Sequence, residues 1–225
     1  MTKKIRILPK GPYLVTGDVP LKKNSIVPDK DGISDSWRED KTYNTEGKPY
    51  SLCRCGRSKG KPFCDGAHAH THFHDAEIAD NTPYMESAAC YKGPRGDLYD
   101  REDLCAVARF CDKGDRCWAL MEEDSEDAFK LAVQEACNCP AGRLTVCKDG
   151  KAIEPKLSEE IALINDTDKN CRGPLWVKGG IEIEGANGEK YEKRNRVTLC
   201  RCGQSGNMPF CDASHLVCSH MKGED

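Results

Sequence analysis

Apolar and polar residues alternate in short runs near the start of the chain: Ile5 and Ile7, then Tyr13 and Val15, then Val19 and Leu21. A period of two is that of a half-buried strand, and Gly11-Pro12 between the first two runs predicts a turn. Arg143 to Cys147 reads as a further short strand. Ile161 to Ile164 could follow a helix cap at Ser158, but so short an apolar run predicts a strand. A helical period is found from Ser125 to Cys137, where Phe129, Val133 and Ala136 stand at i, i+4 and i+7. From Val27 to Tyr50 nothing is periodic, and Asp, Gly, Ser and Lys dominate, which predicts a loop-rich insertion.

The patterns occur twice. CRCGRSKGKPFCDGAH, Cys53 to His68, and CRCGQSGNMPFCDASH, Cys200 to His215, share ten of 16 positions. Each follows a second matching piece, GPYLVTGDV at Gly11 and GPLWVKGGI at Gly173. The repeat unit is a Gly-Pro turn, a β-rich stretch and a cysteine loop. The first copy carries about 15 extra residues, assigned to Val27–Tyr50. A different segment, with seven cysteines, lies between the copies at roughly Tyr84–Gly150.

Composition narrows the chemistry. In 225 residues, 34 basic and 37 acidic side chains leave a net charge of -3, so a nucleic-acid partner is not expected. No run approaches the roughly 18 apolar residues of a membrane span. MTKKIRILPK has no apolar stretch of the kind that makes a secretory signal. The expected location is therefore the reducing cytoplasm, where 15 cysteines mean metal or redox chemistry rather than a disulfide framework. There is no phosphate loop, nucleophile elbow, dinucleotide fingerprint or H-E-x-x-H, so the chain reads as a carrier and not an enzyme.

Each loop offers three cysteines and a histidine: Cys53, Cys55, Cys64 and His68, then Cys200, Cys202, Cys211 and His215. Such a donor set suits zinc or an iron–sulfur centre. A single zinc ion usually draws its paired thiolates from C-x2–4-C, whereas here one residue separates them, which fits a larger two-iron object better. The pattern C-x-C-x2-S-x3-P-x-C-D-G-x-H resembles the CDGSH iron–sulfur family of the mitoNEET type. The first copy matches throughout; the second has Ala213 at the glycine position. The resemblance implies one [2Fe-2S] cluster per loop, on the eight residues named, and a pairing of the two motifs across a two-fold axis. Both halves lie in one chain, so it implies an internal pseudo-dimer that can be monomeric by itself.

In the middle segment Cys105 and Cys111 occupy the first and third positions of C-x2-C-x2-C, with Ala108 at the second, and Cys139-Pro140 follows at a distance. This is similar to single-cluster ferredoxins. It implies a [3Fe-4S] cluster on Cys105, Cys111 and Cys139, or a [4Fe-4S] cluster if Cys117 swings in. Cys90, Cys137, Cys147, Cys171 and Cys218 read as small buried hydrophobes. The alternating histidines of HAHTHFH read as solvated strand residues, with a second metal site on one strand face as the rival reading. The acidic run Glu122–Asp127 reads as a helix start, or as a surface that steers a basic partner to the middle cluster.

The expected fold is α+β: a first CDGSH module at 1–83, a ferredoxin-like domain at 84–150 and a second CDGSH module at 151–225. The expected function is one-electron transfer with a redox partner protein, as an accessory or docking subunit of a larger system. Cluster transfer or redox and pH sensing is the rival, because a protonated imidazole cannot hold iron. A structural zinc protein is the third option.

Overall fold

The computed structural model describes residues 2–223. They form a mixed α+β structure dominated by sheet. The first part contributes β1 (Lys4–Ile7), β2 (Tyr13–Thr16), β3 (Leu21–Pro28), β4 (Ser34–Tyr43) and β5 (Tyr50–Leu52). The middle part holds α1 (Tyr84–Ser87), β6 (Ala89–Lys92), β7 (Asp97–Asp100), α2 (Arg116–Glu122), α3 (Glu126–Asn138), β8 (Leu144–Lys148) and β9 (Lys151–Ile153). The last part contributes β10 (Ile161–Asp166), β11 (Cys171–Lys178), β12 (Glu182–Glu184) and β13 (Arg196–Leu199). None of the described helices is long and apolar enough to cross a membrane.

The repeat is visible in the sheets. β1, β2 and β5 lead into the first cysteine loop as β10, β11 and β13 lead into the second. Each trio is then extended by strands from the other half. β12 pairs parallel to β1, with Ile5 opposite Ile183. β3 pairs parallel to β10, with Lys23 opposite Leu163, and brings β4 with it. Neither half completes its sheet alone.

The exchange follows from where the apolar residues face. Ile5, Ile7, Tyr13, Val15, Leu21 and Leu52 from the first half share one core with Ile161, Leu163, Leu175, Val177, Ile183 and Leu199 from the second. All are at most 3% exposed. Burying each such side chain is worth about 1.5–3 kcal/mol, so separating the halves would open a single core across its middle.

The strands expected at Ile5–Ile7, Tyr13–Val15, Arg143–Cys147 and Ile161–Ile164 are present, and Gly11 closes its turn by donating to the Leu8 carbonyl at 3.0 Å. The helix is α3, whose N-cap Ser125 accepts from the Ala128 N–H at 3.3 Å. The loop expected within Val27–Tyr50 is instead largely the ten-residue β4. It is an edge strand, mostly solvent-facing, so its polar side chains carry no period-two signal. Lys22 on β3 pairs with Glu39 at 2.9 Å, and Trp37 stacks against Trp176 and Phe110 with centroids 4.7 Å apart.

In the middle part, β7 pairs antiparallel with β8, Leu98 opposite Val146, and α2 and α3 pack on them through Leu120, Met121, Phe129 and Ala132. Ion pairs tie this part to the sheets. Arg109 grips Asp166 with two bonds, at 2.7 and 3.0 Å. The buried Arg196 of β13 donates to the Cys139 carbonyl at 3.0 Å and the Leu144 carbonyl at 3.2 Å, and pairs with Glu154.

Candidate metal centre

Both cysteine loops leave the last strand of their trio and fold back on it. In the first, Cys53 N–H donates to the Pro62 carbonyl and Cys64 N–H to the Ser51 carbonyl, both at 2.9 Å. In the second, Cys200 and Cys211 repeat these bonds to Pro209 at 2.8 Å and Thr198 at 3.0 Å. The serine and aspartate of each motif shape the interior. Ser58 donates to the Phe63 carbonyl at 2.6 Å, and Ser205 to that of Phe210 at 2.7 Å. Asp65 accepts from the N–H groups of Lys59 and Ala67, which hold its carboxyl below the usual carboxylate range. Asp212 accepts from Gly206 and Ser214 in the same way.

These bonds present the donors in pairs. Cys53 and Cys55 sulfurs lie 3.8 Å apart, and the Cys64 sulfur lies 3.3 Å from His68 Nδ1. The second loop repeats this with 3.5 Å for Cys200 and Cys202 and 3.4 Å for Cys211 and His215 Nδ1. Among the described residues, no three His, Cys, Asp or Glu side chains converge on one ion-sized point. Within each C-x-C pair the neighbouring thiol's hydrogen bond pulls one thiol down, Cys53 to about 6 and Cys200 to about 7, and pushes Cys55 and Cys202 up. Backbone N–H groups of Arg57, Gly66 and Ala213 point at the sulfurs of Cys55, Cys64 and Cys211 at 3.4–3.5 Å.

A family model described as an iron-binding zinc finger of CDGSH type matches residues 10–69 and 172–216. The chain carries two CDGSH domains. No curated protein and no solved structure matches it.

The two CDGSH loops stand back to back. A Cβ on Gly56 would lie 2.8 Å from the Cys202 carbonyl oxygen, and one on Gly203 would lie 2.7 Å from that of Cys55. Glycine is therefore needed at both positions, and both have positive φ. Tyr13 of the first half reaches across to donate to the Cys200 carbonyl at 2.7 Å.

The residue inside each C-x-C is a buried arginine. Arg54 donates to the Gly11 carbonyl at 3.1 Å and Arg201 to the Gly173 carbonyl at 2.6 Å, tying each loop to its own Gly-Pro turn. This is why the two matching pieces of the repeat travel together. Both arginines are among the ten identical positions, which is the signal that could have singled them out.

The loops differ in cover. Cys64 and His68 are partly exposed, whereas Cys211 and His215 are 3% and 4% exposed. Burial, reinforced by Arg201, pushes His215 down to about 4, so its imidazole is neutral and able to ligate. Cys218, which the repeat did not mark, packs beside Cys200 and Cys202 and donates its thiol to the Ser214 carbonyl at 3.2 Å.

Cys105, Cys111 and Cys139 line one pocket with Ala108, Phe110, Pro140 and Arg143. Val107 and Arg109 flank Ala108 in the left-handed region, at φ 50° and 62°. For a β-branched residue this is a strained conformation, and alternation of hand turns successive N–H groups toward one side of a loop. Burial pushes the Cys111 thiol up to about 12. Cys117 does not line the pocket: it is fully buried between α2 and α3, with its thiol toward the Ala132 carbonyl at 3.5 Å. The pocket adjoins the second CDGSH loop, because Cys211, Ala106 and Ala141 form one buried cluster against which Cys139 packs.

The remaining readings divide. Cys147 and Cys171 are buried and Cys137 partly so, but Cys90 is exposed on β6. The histidine run does not form a strand: Ala67–His70 is a 3-10 turn, and the extended residues after it pair with no sheet. The alternate histidines therefore share no strand face. The acidic run joins α2 to α3, where Arg95 pairs with Asp124 at 3.0 Å and Glu126 at 2.7 Å. Arg95 precedes β7 and the cysteine pocket follows it, so this run stands at the other end of that strand.

Proposed function

We propose that the chain is an iron–sulfur electron-transfer protein, acting as an accessory or docking subunit of a larger redox system in the cytoplasm. Cys53, Cys55, Cys64 and His68 would hold one [2Fe-2S] cluster, and Cys200, Cys202, Cys211 and His215 the other. Paired donors, three sulfurs to one nitrogen, fit a two-metal object better than a single ion. Cys105, Cys111 and Cys139 would hold a [3Fe-4S] cluster, in keeping with three thiols around the pocket, with Ala108 between two of them in sequence, and with a Cys117 that faces elsewhere. When bound, these centres supply one-electron chemistry; the chain holds their ligands and sets their order.

The observation that carries this reading is contiguity. The first loop abuts the second through Gly56 and Gly203, and the second abuts the middle pocket through Cys211 and Cys139. A row of three donor sets suits passage of electrons along the chain and has no evident use in a structural zinc protein. The strand exchange likewise supports an internal pseudo-dimer, so a 25.0 kDa monomer is expected in solution.

Metal and acid-labile sulfide analysis with EPR of the anaerobic protein tests the reading. The oxidised three-iron centre should give a signal that oxidised [2Fe-2S] centres cannot, and Cys139→Ser should abolish it while the visible absorbance of the loops remains. Zinc without sulfide would end the proposal. A silent protein in which Cys117→Ser creates the signal would make the middle centre [4Fe-4S]. The partial exposure of Cys64 and His68 favours cluster delivery from the first loop as a second reading. Transfer of a cluster to an apo-acceptor, with a middle centre that never cycles, would select it.

A further inference from the structure

The two CDGSH loops differ at six positions, and three of these differences remove a positive charge. Arg57, Lys59 and Lys61 of the first loop stand where the second has Gln204, Gly206 and Met208. Arg57 and Lys59 are exposed and Lys61 is partly so. The three alternate along the turn between the Cys53–Cys55 pair and the Cys64–His68 pair, with the exposed Asp65 as the one carboxylate of the loop. This is a local cationic collar on a chain whose net charge is -3.

The surface beneath the collar is open. A Cβ added at Gly60 or Gly66 would meet nothing within 4 Å. In the second loop Asn207, the counterpart of Gly60, donates to the Asp103 carbonyl at 2.7 Å and so rests on the middle part of the protein. One loop is docked internally and uncharged at these positions; the other is charged and faces solvent.

We propose that the first CDGSH loop is the port of the protein, and that its collar docks a redox protein with an acidic face. The inference rests on the electron-transfer reading and adds the partner's chemistry and its point of contact. Complementary charge steers such an encounter and makes its rate fall with salt. One electron passes from the partner's reduced centre to the first loop's centre; the partner is oxidised by one electron, and no bond is made or broken. An anionic membrane is the lesser candidate. Lipid-binding clusters hold about four to eight cations, more than the three of this loop.

The test replaces the collar by the residues of the second loop, Arg57→Gln, Lys59→Gly and Lys61→Met, which this chain already accommodates in the same turn. The probe is an acidic plant-type [2Fe-2S] ferredoxin. Its binding to the full-length protein is followed by calorimetry, and electron delivery from its reduced form by stopped flow. The collar predicts a wild-type rate that falls steeply with salt, and a variant about tenfold slower at low ionic strength with its salt dependence lost. Ferredoxin binding should weaken in parallel while the visible spectrum is unchanged. Equal rates and affinities in wild type and variant would overturn the proposal. So would binding to phosphatidylserine vesicles without binding to ferredoxin. A protein lacking acid-labile sulfide would fail the electron-transfer reading instead, and the calorimetric arm would still decide on the collar.

Discussion

The two CDGSH loops carry the same donors in the same local geometry and differ in what surrounds them. Their sulfur–sulfur distances of 3.8 and 3.5 Å and sulfur–nitrogen distances of 3.3 and 3.4 Å are nearly interchangeable. Yet His68 is partly exposed and His215 is 4% exposed. The local motif builds the donor set, while tertiary cover decides whether that set faces a partner or the interior. One loop is thus left open and the other covered without any change of these side chains.

The largest test of this comparison removes the arginine that anchors each loop. Arg201 gives hydrogen bonds to the Gly173 and Ile164 carbonyls. Arg54 bonds only the Gly11 carbonyl among the described residues, with Asp75 3.6 Å away and the Phe73 ring 4.9 Å away. Arg201→Met should cost about 3 kcal/mol and Arg54→Met about 2 kcal/mol, since buried carbonyls are left without donors. Chemical unfolding followed by far-UV dichroism measures both. Equal losses would mean that the better-covered loop is not the more tightly anchored one.

Burial can also be tested on a side chain that is not itself a proposed metal donor. Glu135 on α3 is 2% exposed, neither carboxylate oxygen has a hydrogen-bond partner among the described residues, and burial raises it to about 8. The folded protein therefore holds this proton more tightly than the unfolded chain, whose ordinary value is 4.5. Its contribution is fully present below pH 4.5 and is lost as pH rises toward 8, at up to about 1.4 kcal/mol per pH unit. Glu135→Gln should remove that slope and be the more stable protein at pH 9. A pH series of unfolding midpoints that runs parallel for the two proteins would show that Glu135 is ionised in the fold.

Iron loss should separate the loops next. With iron loaded, a strong chelator should strip the first loop about tenfold faster than the second, because water and chelator reach His68 and Cys64 directly. Cys53→Ser should remove the fast phase of absorbance decay and leave the slow one. If Cys200→Ser removes the fast phase instead, exposure does not govern release.

What could be read from the sequence was whatever repeats or alternates. The eight donors were readable because they recur at fixed spacing, and α3 was readable because Phe129, Val133 and Ala136 keep a helical period. β4 was hidden because an edge strand has little buried face to pattern, and its Trp37 finds partners that lie far off in the chain. The exchange of β3 and β12 was hidden because parallel pairing leaves no local mark. The contact of Asn207 with Asp103 was hidden because it joins segments about a hundred residues apart. The cluster uniting Cys211 with Cys139 is of the same kind.

The smallest effect addresses the one motif position at which the second loop departs from the CDGSH pattern. Gly66 has φ 85° and Ala213 has φ 70°, so both loops require the left-handed conformation there. An alanine pays a steric cost of about 1 kcal/mol in that region that glycine does not. Ala213→Gly removes this cost but gives the unfolded chain more freedom, so the net gain should be at most about 1 kcal/mol. Gly66→Ala should show the reverse, a loss of about 1 kcal/mol and no more, because its new Cβ would stand in open space. Opposite signs of similar size would show that the second loop accepts alanine at an ordinary backbone cost, with nothing in its surroundings built to relieve it. A larger loss at Gly66, or no gain at Ala213, would mean that the two turns are not equivalent and that local geometry, as well as cover, distinguishes the two loops.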